Sequence, residues 1–369
     1  MTHRRTIVLV LLGLAIAACG GHAPSGSREA ASGGACGPSE PVPLLPGSLL
    51  LTGNATIELW EHGRRTPIAC VRNTPTYFSH PVFAPNGKSI AYVMSTAPTS
   101  LAQDWGDDIY IANPDASGAR LAFRHEAPGA QIDSLAWAPD GRALIYGSFR
   151  VLYDGAGRSA TASYSINRLA SASGAVSPLI ANASQAAVSP DGKRLVYVSY
   201  PSSDFNISAL SVANLDGSDA HLILNGQNGF QSFFAPHLSP DGARVVFAAV
   251  GGPLPGAKAP QPYNPQRSLI LSPSREAPQN IKSALARVLA PSALADGSPY
   301  ELWIANLDGT GMHTVANLRE DLPYPQWSAD GKQILFLGAA ALYLASADGS
   351  SVKQIDKGIA HGQIDWYQR

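Results

Sequence analysis

Leu238-Ser-Pro-Asp-Gly-Ala-Arg-Val-Val-Phe247 joins a tight turn to a strand. Proline presets φ, aspartate caps the local backbone and glycine tolerates a positive φ, so two strands can reverse there. Val245 and Phe247 then stand three and five residues past the glycine, the two-residue period of a strand. The same pattern recurs as Phe83-Ala-Pro-Asn-Gly87, Trp137-Ala-Pro-Asp-Gly141, Val188-Ser-Pro-Asp-Gly192 and Trp327-Ser-Ala-Asp-Gly331. Their glycines follow one another at 54, 51, 50 and 89 residues, a unit of about fifty with one enlarged member.

Each unit carries a second apolar strand and a second turn. Examples are Leu210-Ser-Val212 before Asn214-Leu-Asp-Gly217 and Leu302-Trp-Ile304 before Asn306-Leu-Asp-Gly309. Two hairpins per unit make the four strands of a propeller blade. At the ends, Ile57-Glu-Leu59-Trp60 and residues 64–71 supply a blade lacking its first strand, while Gln363-Ile-Asp-Trp366 matches Ser134-Leu-Ala-Trp137. The expected fold is therefore all-β: a six-bladed propeller over 48–369, closed by a clasp of N- and C-terminal strands that hides two sheet edges. Trp137, Trp327 and Trp366 recur at one blade position and are expected to pack between blades.

The enlarged member is an insertion in blade 5, residues 251–299. Its first half is Pro-rich, and Ile281, Leu285, Val288 and Leu289 then form the apolar stripe of an amphipathic helix over 278–290.

The 369 residues carry a net charge of −1 and only 14% charged side chains, which argues against a nucleic-acid partner. Arg4 and Arg5 precede an apolar run from Ile7 to Ala18, too short to span a bilayer and suited to a secretion signal over 1–18. It ends Ile16-Ala17-Ala18-Cys19-Gly20, which resembles a bacterial lipobox. The resemblance implies diacylglycerol on Cys19 and attachment to the membrane through its acyl chains. No Asp follows Cys19, so by resemblance to enteric lipoproteins the expected location is the periplasmic face of the outer membrane, with the cell surface as the alternative. Residues 19–47 read as a flexible Gly/Ala/Ser/Pro tether. Cys36 and Cys70 remain in an oxidising compartment, either as a disulfide or as two free or buried thiols.

The Pro-Asp-Gly blades resemble those of TolB-type six-bladed propellers, a group that also takes in tricorn-like and prolyl-oligopeptidase-type propeller domains. The likeness spans residues 48–369 and implies the fold and, for TolB itself, protein partners. An attached serine peptidase is not expected, because no Gly-x-Ser-x-Gly elbow occurs. Neither HExxH, CxxC, P-loop nor GxGxxG is present. No cofactor is expected. Calcium is kept open for the Asp-Gly turns, although none has the DxDxDG pattern of a calcium loop.

In such a propeller both hairpin turns of a blade lie on one face, and the longer connections gather on the other. Loops on a rigid scaffold carry binding. The partner-binding candidates are accordingly Asp104, Trp105, Asp107, Asp108, Arg150, Tyr153, Asp154, Tyr200, Phe205 and Tyr263. His80, Asp133 and His237, with Gln185 and Asp321, are placed at the channel mouth. The expected function is a lipid-anchored, monomeric envelope scaffold that binds a protein, peptide or glycan. The alternative is a lyase- or lactonase-like propeller enzyme with a metal or a His/Tyr acid-base pair at the channel mouth. A purely structural envelope component is the third reading.

Overall fold

In a computed structural model of the chain, every Pro-Asp-Gly repeat is a hairpin turn. The structure describes residues 32–33, 36–53, 55–71, 76–96, 105–153, 159–201, 208–253, 300–320, 323–338, 341–357 and 363–368. The five turn glycines have φ between 66° and 70°, a region closed to most side chains. The residue before each glycine ties the turn to itself: Asp140, Asp191, Asp241 and Asp330 each accept the backbone N–H two residues on, and Asn86 does the same. In the Ser-Pro-Asp-Gly copies the serine hydroxyl adds a second brace, as Ser239 Oγ donates to Asp241 and accepts from Arg244 N–H.

The turns connect six antiparallel sheets. Blade 2 is Thr76–Phe83, Ile90–Thr96, Asp107–Ala112 and Arg120–Phe123; blade 3 is Ala130–Trp137, Ala143–Tyr153, Ser159–Ala170 and Val176–Ala181. Blade 4 runs Ala183–Val188, Arg194–Ser199, Ala209–Asn214 and His221–Leu224; blade 5 runs Phe230–Leu238, Arg244–Gly251, Tyr300–Asn306 and His313–Glu320. Blade 6 is Tyr324–Trp327, Gln333–Leu337, Ala341–Ser346 and Val352–Lys357. Blade 1 joins the chain ends: Asp365–Tyr367 pairs with Ser48–Thr52, followed by Thr56–Glu61 and Arg64–Cys70. The helix expected over 278–290, and the signal and lipidation residues through Cys19, lie outside the described residues.

Six apolar clusters account for the ring, each shared by two neighbouring blades. Leu50, Ile57 and Ile68 of blade 1 meet Phe78, Ile90 and Tyr92 of blade 2; Leu335, Leu337 and Leu342 of blade 6 meet Leu49, Trp60 and Trp366 of blade 1. Each sheet is thus buried on both faces, which is why the central strands read as nearly unbroken apolar runs such as Ile90-Ala-Tyr-Val-Met94. The recurrent tryptophans sit in these seams, 5–8% exposed. Trp327 donates across the seam to the His237 carbonyl at 3.0 Å, with the Arg244 guanidinium 4.7 Å above its ring.

Residues 36–47 correct the expectation of a flexible tether reaching to 47. Cys36 is bonded to Cys70, the two Cα atoms 6.1 Å apart. Ser32–Gly33 and Glu40–Pro41 pair along the outer strand Arg64–Cys70. Leu45 is buried, and the Trp60 and Trp366 indoles donate to the Pro43 and Pro46 carbonyls. Arg65 gathers Glu40, Glu58 and Asp356, linking this strap to blade 6. Order here comes from a covalent bond and polar contacts, with Leu45 and Val42 packed on the cluster between blades 6 and 1. Because the disulfide spans 34 residues of sequence, its reduction is expected to remove roughly 3–4 kcal/mol. The check is a urea midpoint measured with and without reductant; an unchanged midpoint would show that the strap adds nothing.

Candidate functional site

The innermost strand of every blade borders a central channel. In blades 2 to 5 this strand is irregular before its turn: its register slips between Ser79 and Val82, Ile132 and Ser134, Ser184 and Ala187, and Phe234 and His237. His80, Gln185 and Ala235 sit at φ of 51°, 53° and 44°, a left-handed conformation that non-glycine residues rarely hold. These bulges free backbone N–H groups that the sheet would otherwise use.

The freed groups are taken up by side chains of the preceding blade. Asp133 Oδ1 accepts Gln185 N–H at 3.0 Å, and Ser134 Oγ accepts Ala186 N–H at 3.0 Å. Gln185 Oε1 in turn accepts Ala235 N–H at 2.6 Å. Asp365 Oδ2 accepts Phe83 N–H at 2.6 Å, and Asp107 Oδ2 accepts Ile132 N–H at 2.7 Å. Gln363 reaches from blade 1 to blade 3, where its amide both accepts from and donates to the Leu135 backbone. Asp133, Ser134, Gln185, Gln363, Asp365 and Asp107 are therefore connectors between blades.

The channel encloses a cavity of about 180 Å³ lined from all six blades, with Asp133, Asp365, His237, Gln185, Gln326 and Tyr324 as its polar walls. Neither a lysine nor an arginine is in the lining. Burial pushes the Asp133 and Asp365 carboxyls up to about 6, against hydrogen bonds from Gln185 and Phe83 backbone N–H that pull the other way. Asp107 is raised to about 6 by the same cause. His80 and His237 are pulled down to about 4 by burial. At neutral pH the carboxylates are ionised and the imidazoles neutral.

These shifts have opposite consequences for stability. A carboxyl raised from 3.8 to about 6 contributes stability while protonated, whole below pH 4 and lost as pH rises through 6, on the order of 3 kcal/mol each. The histidines contribute above pH 6.5 and lose it as pH falls through about 4. The two channel aspartates are therefore held in their costly form at neutral pH.

On the face away from the hairpin turns, first and third strands begin and second strands end. Aromatic rings gather there. Tyr164 meets Tyr200 at a tilt with centroids 4.4 Å apart, and Phe149 stacks on Tyr164 at 5.7 Å. Phe234 contacts both Tyr300, at 5.9 Å, and Tyr324, at 4.8 Å, whose ring is 6.5 Å from His80. Tyr200 shares a hydrogen bond with Ser184 Oγ at 3.0 Å. Burial and the negative charge of Asp133 raise the Tyr164 phenol to about 12 and push Tyr324 higher still.

The expected loop-face set is divided by the structure. Tyr200 joins the aromatic group. Asp107 and Asp108 stand at the loop-face end of a third strand but are buried rather than open to a partner: both begin the strand Asp107–Ala112. Asp107 caps blade 3, while Asp108 Oδ1 holds His125, accepting its backbone N–H at 3.0 Å and meeting its Nδ1 at 2.6 Å. Trp105 is half-buried against Gly129, and Arg150 is half-buried in Ala143–Tyr153, the strand that Tyr153 ends. Asp104, Asp154, Phe205, Tyr263 and Asp321, and the side chain of Tyr153, lie outside the described residues.

Of the channel-mouth set, Asp133 and His237 line the cavity, and His80 is buried beside Tyr324. Among the described residues no three His, Cys, Asp or Glu side chains converge as metal ligands. Sequence reasoning missed Gln363, Asp365, Tyr164, Tyr300 and Tyr324. The first two were visible by aligning Trp366 with Trp137; the tyrosines resemble any strand tyrosine.

No protein-family model matches the chain, and no curated protein sequence matches it. Solved structures do. TolB from Acinetobacter baumannii is similar over 88% of this chain and 67% of its own, with a TM-score of 0.56 at 14% identity. A chain of a nidogen/laminin complex is similar over 86% of this chain and 97% of its own, with a TM-score of 0.55 at 10% identity. Oligogalacturonate lyase from Vibrio parahaemolyticus follows at a TM-score of 0.48 and 9% identity, over 89% and 87% of the two chains. At these identities the likeness is one of fold.

Proposed function

We propose that the protein is a lipid-anchored scaffold of the bacterial envelope that holds a protein or peptide partner at the aromatic mouth of its channel. The observation that carries this reading is the gathering of aromatic rings on the face away from the hairpin turns, Tyr164 with Tyr200 and Tyr324 with Phe234 and Tyr300. Clustered tyrosines offer large contact area with little rotamer entropy to lose, the composition of interface hot spots. The Cys19 lipobox and the bonded Cys36–Cys70 pair fit an oxidising envelope compartment. TolB-type propellers serve as a precedent for binding rather than catalysis.

The test is crosslinked recovery of partners from native envelopes with the lipidated full chain, Tyr200→Ala, Tyr324→Ala and a turn-face control, Asp216→Ala. A partner kept by the control and reduced at least tenfold, about 1.4 kcal/mol, by either tyrosine variant supports the reading. Equal recovery by all four proteins, each with an unchanged melting midpoint, would remove the mouth as the site.

A further inference from the structure

The geometry points to the channel cavity as a receptor for a single organic cation, an ammonium or guanidinium group, held by Asp133 and Asp365. This deepens the reading above and rests on it for the face from which the ligand enters. The cavity wall offers acceptors and negative charge. Asp133 and Asp365 each direct one carboxylate oxygen to a backbone N–H, and neither has a lysine or arginine partner among the described residues.

One imidazole of the wall points independently to a missing donor. His237 lines the cavity, and among the described residues its buried Nδ1 has no hydrogen-bond partner. Orphaned buried polar atoms of this kind are uncommon and call for an occupant. A neutral imidazole has one acceptor nitrogen, and an ammonium group brings three N–H donors together with the charge that the carboxylates lack. Tyr324 in the wall adds an aromatic ring, which favours the same cation.

The connector role alone does not require charge. Gln185 performs it for Ala235 N–H with an amide oxygen, so an asparagine at 133 or 365 would cap the same backbone groups. The carboxylates at both positions are explained by a cationic ligand.

The cation has two chemical sources, a free amine or a Lys or Arg side chain of the bound partner, and the probes separate them. The full chain is titrated calorimetrically at pH 7.5 with n-butylamine, N-acetyl-lysine amide and N-acetyl-arginine amide. Butanol serves as the neutral control and calcium chloride as the competing metal. The same titrations are run on Asp133→Asn, Asp365→Asn and the double variant, whose urea midpoints report that they fold. The expected result is saturable binding of at least one cationic probe, none of butanol, and at least tenfold weaker binding by the double variant. Affinity should fall about tenfold between pH 7.5 and 5 as Asp133 and Asp365 protonate, with Asp107, His80 and His237 the other titrating groups that face them.

Binding of either the free amine or the amino-acid amides supports the proposal and identifies the source. No binding of any cationic probe, binding unchanged in the folded double variant, or binding of calcium alone would overturn it. If tyrosine variants lose the partner while no cation binds, only this inference fails. If cations bind while the tyrosine variants keep the partner, only the scaffold reading fails.

Discussion

A chain ending at Gly362 is expected not to fold. The seven residues removed would take Asp365–Tyr367 from the edge of Ser48–Thr52 and pull Ile364 and Trp366, 0% and 6% exposed, out of the seam between blades 6 and 1. They would also remove bonds to four other places in the ring. Asp365 holds Phe83 N–H, Tyr367 Oη donates to the Pro85 carbonyl, Gln363 grips Leu135, and Gln368 Oε1 accepts Ala329 N–H. Burial of a tryptophan and an isoleucine contributes about 5 kcal/mol, and the hydrogen bonds about 1 kcal/mol each. The sum is comparable with the whole stability of a typical domain, roughly 5–15 kcal/mol. Circular dichroism and a urea titration decide it; a truncated chain with a cooperative transition at the full-length midpoint would refute the role assigned to this strand. Trp366→Ala alone should cost about 3–5 kcal/mol.

The second large effect is at Gly147, which has no unusual φ and whose necessity is steric. It lies in Ala143–Tyr153 opposite Ser134, and its N–H donates to Ser134 Oγ at 3.1 Å. A Cβ there would meet Asp133 Oδ1, then Ser134 Oγ at 2.6 Å and the Gln185 backbone nitrogen at 3.0 Å. These atoms make the junction of blades 3 and 4, so none can retreat without breaking a buried bond. Gly147→Ala should cost about 2–4 kcal/mol and Gly147→Val more, with the Asp133 side of the channel displaced as well. Gly141→Ala is the comparison. Open space surrounds its Cβ position, and only its φ of 67° resists, about 1 kcal/mol. Urea midpoints of the three variants test the order, and a Gly147→Ala protein as stable as the parent would mean that the junction yields.

Much of the ring was legible because its signals are local. A proline, an aspartate and a glycine act within four residues, and the alternation that follows is read without knowing what lies beside it. The channel was legible only in part. Its connectors depend on bulges at His80, Gln185 and Ala235, where non-glycine residues adopt a positive φ that only tertiary contacts enforce. The adjacent Asp107 and Asp108 looked like an exposed acidic loop; each instead answers a buried backbone N–H, a need created by neighbouring chain remote in sequence. The strap over residues 36–47 was missed for a related reason. Composition reports how much apolar surface a segment can bury, whereas this segment adds to its few apolar contacts a covalent bond, an ion pair and the carbonyls of two prolines.

That strap has a mechanical consequence. Tension drawn through the chain ahead of Cys36 passes through the disulfide into Cys70, at the end of the strand Arg64–Cys70 of blade 1. From there it reaches the hydrogen bonds that join Arg64–Cys70 to Thr56–Glu61. The innermost strand, Asp365–Tyr367, lies on the far side of the same sheet and bears little of that load. A pull on the chain ahead of Cys36 is thus borne by the outer side of blade 1 and not by the seam that closes the ring.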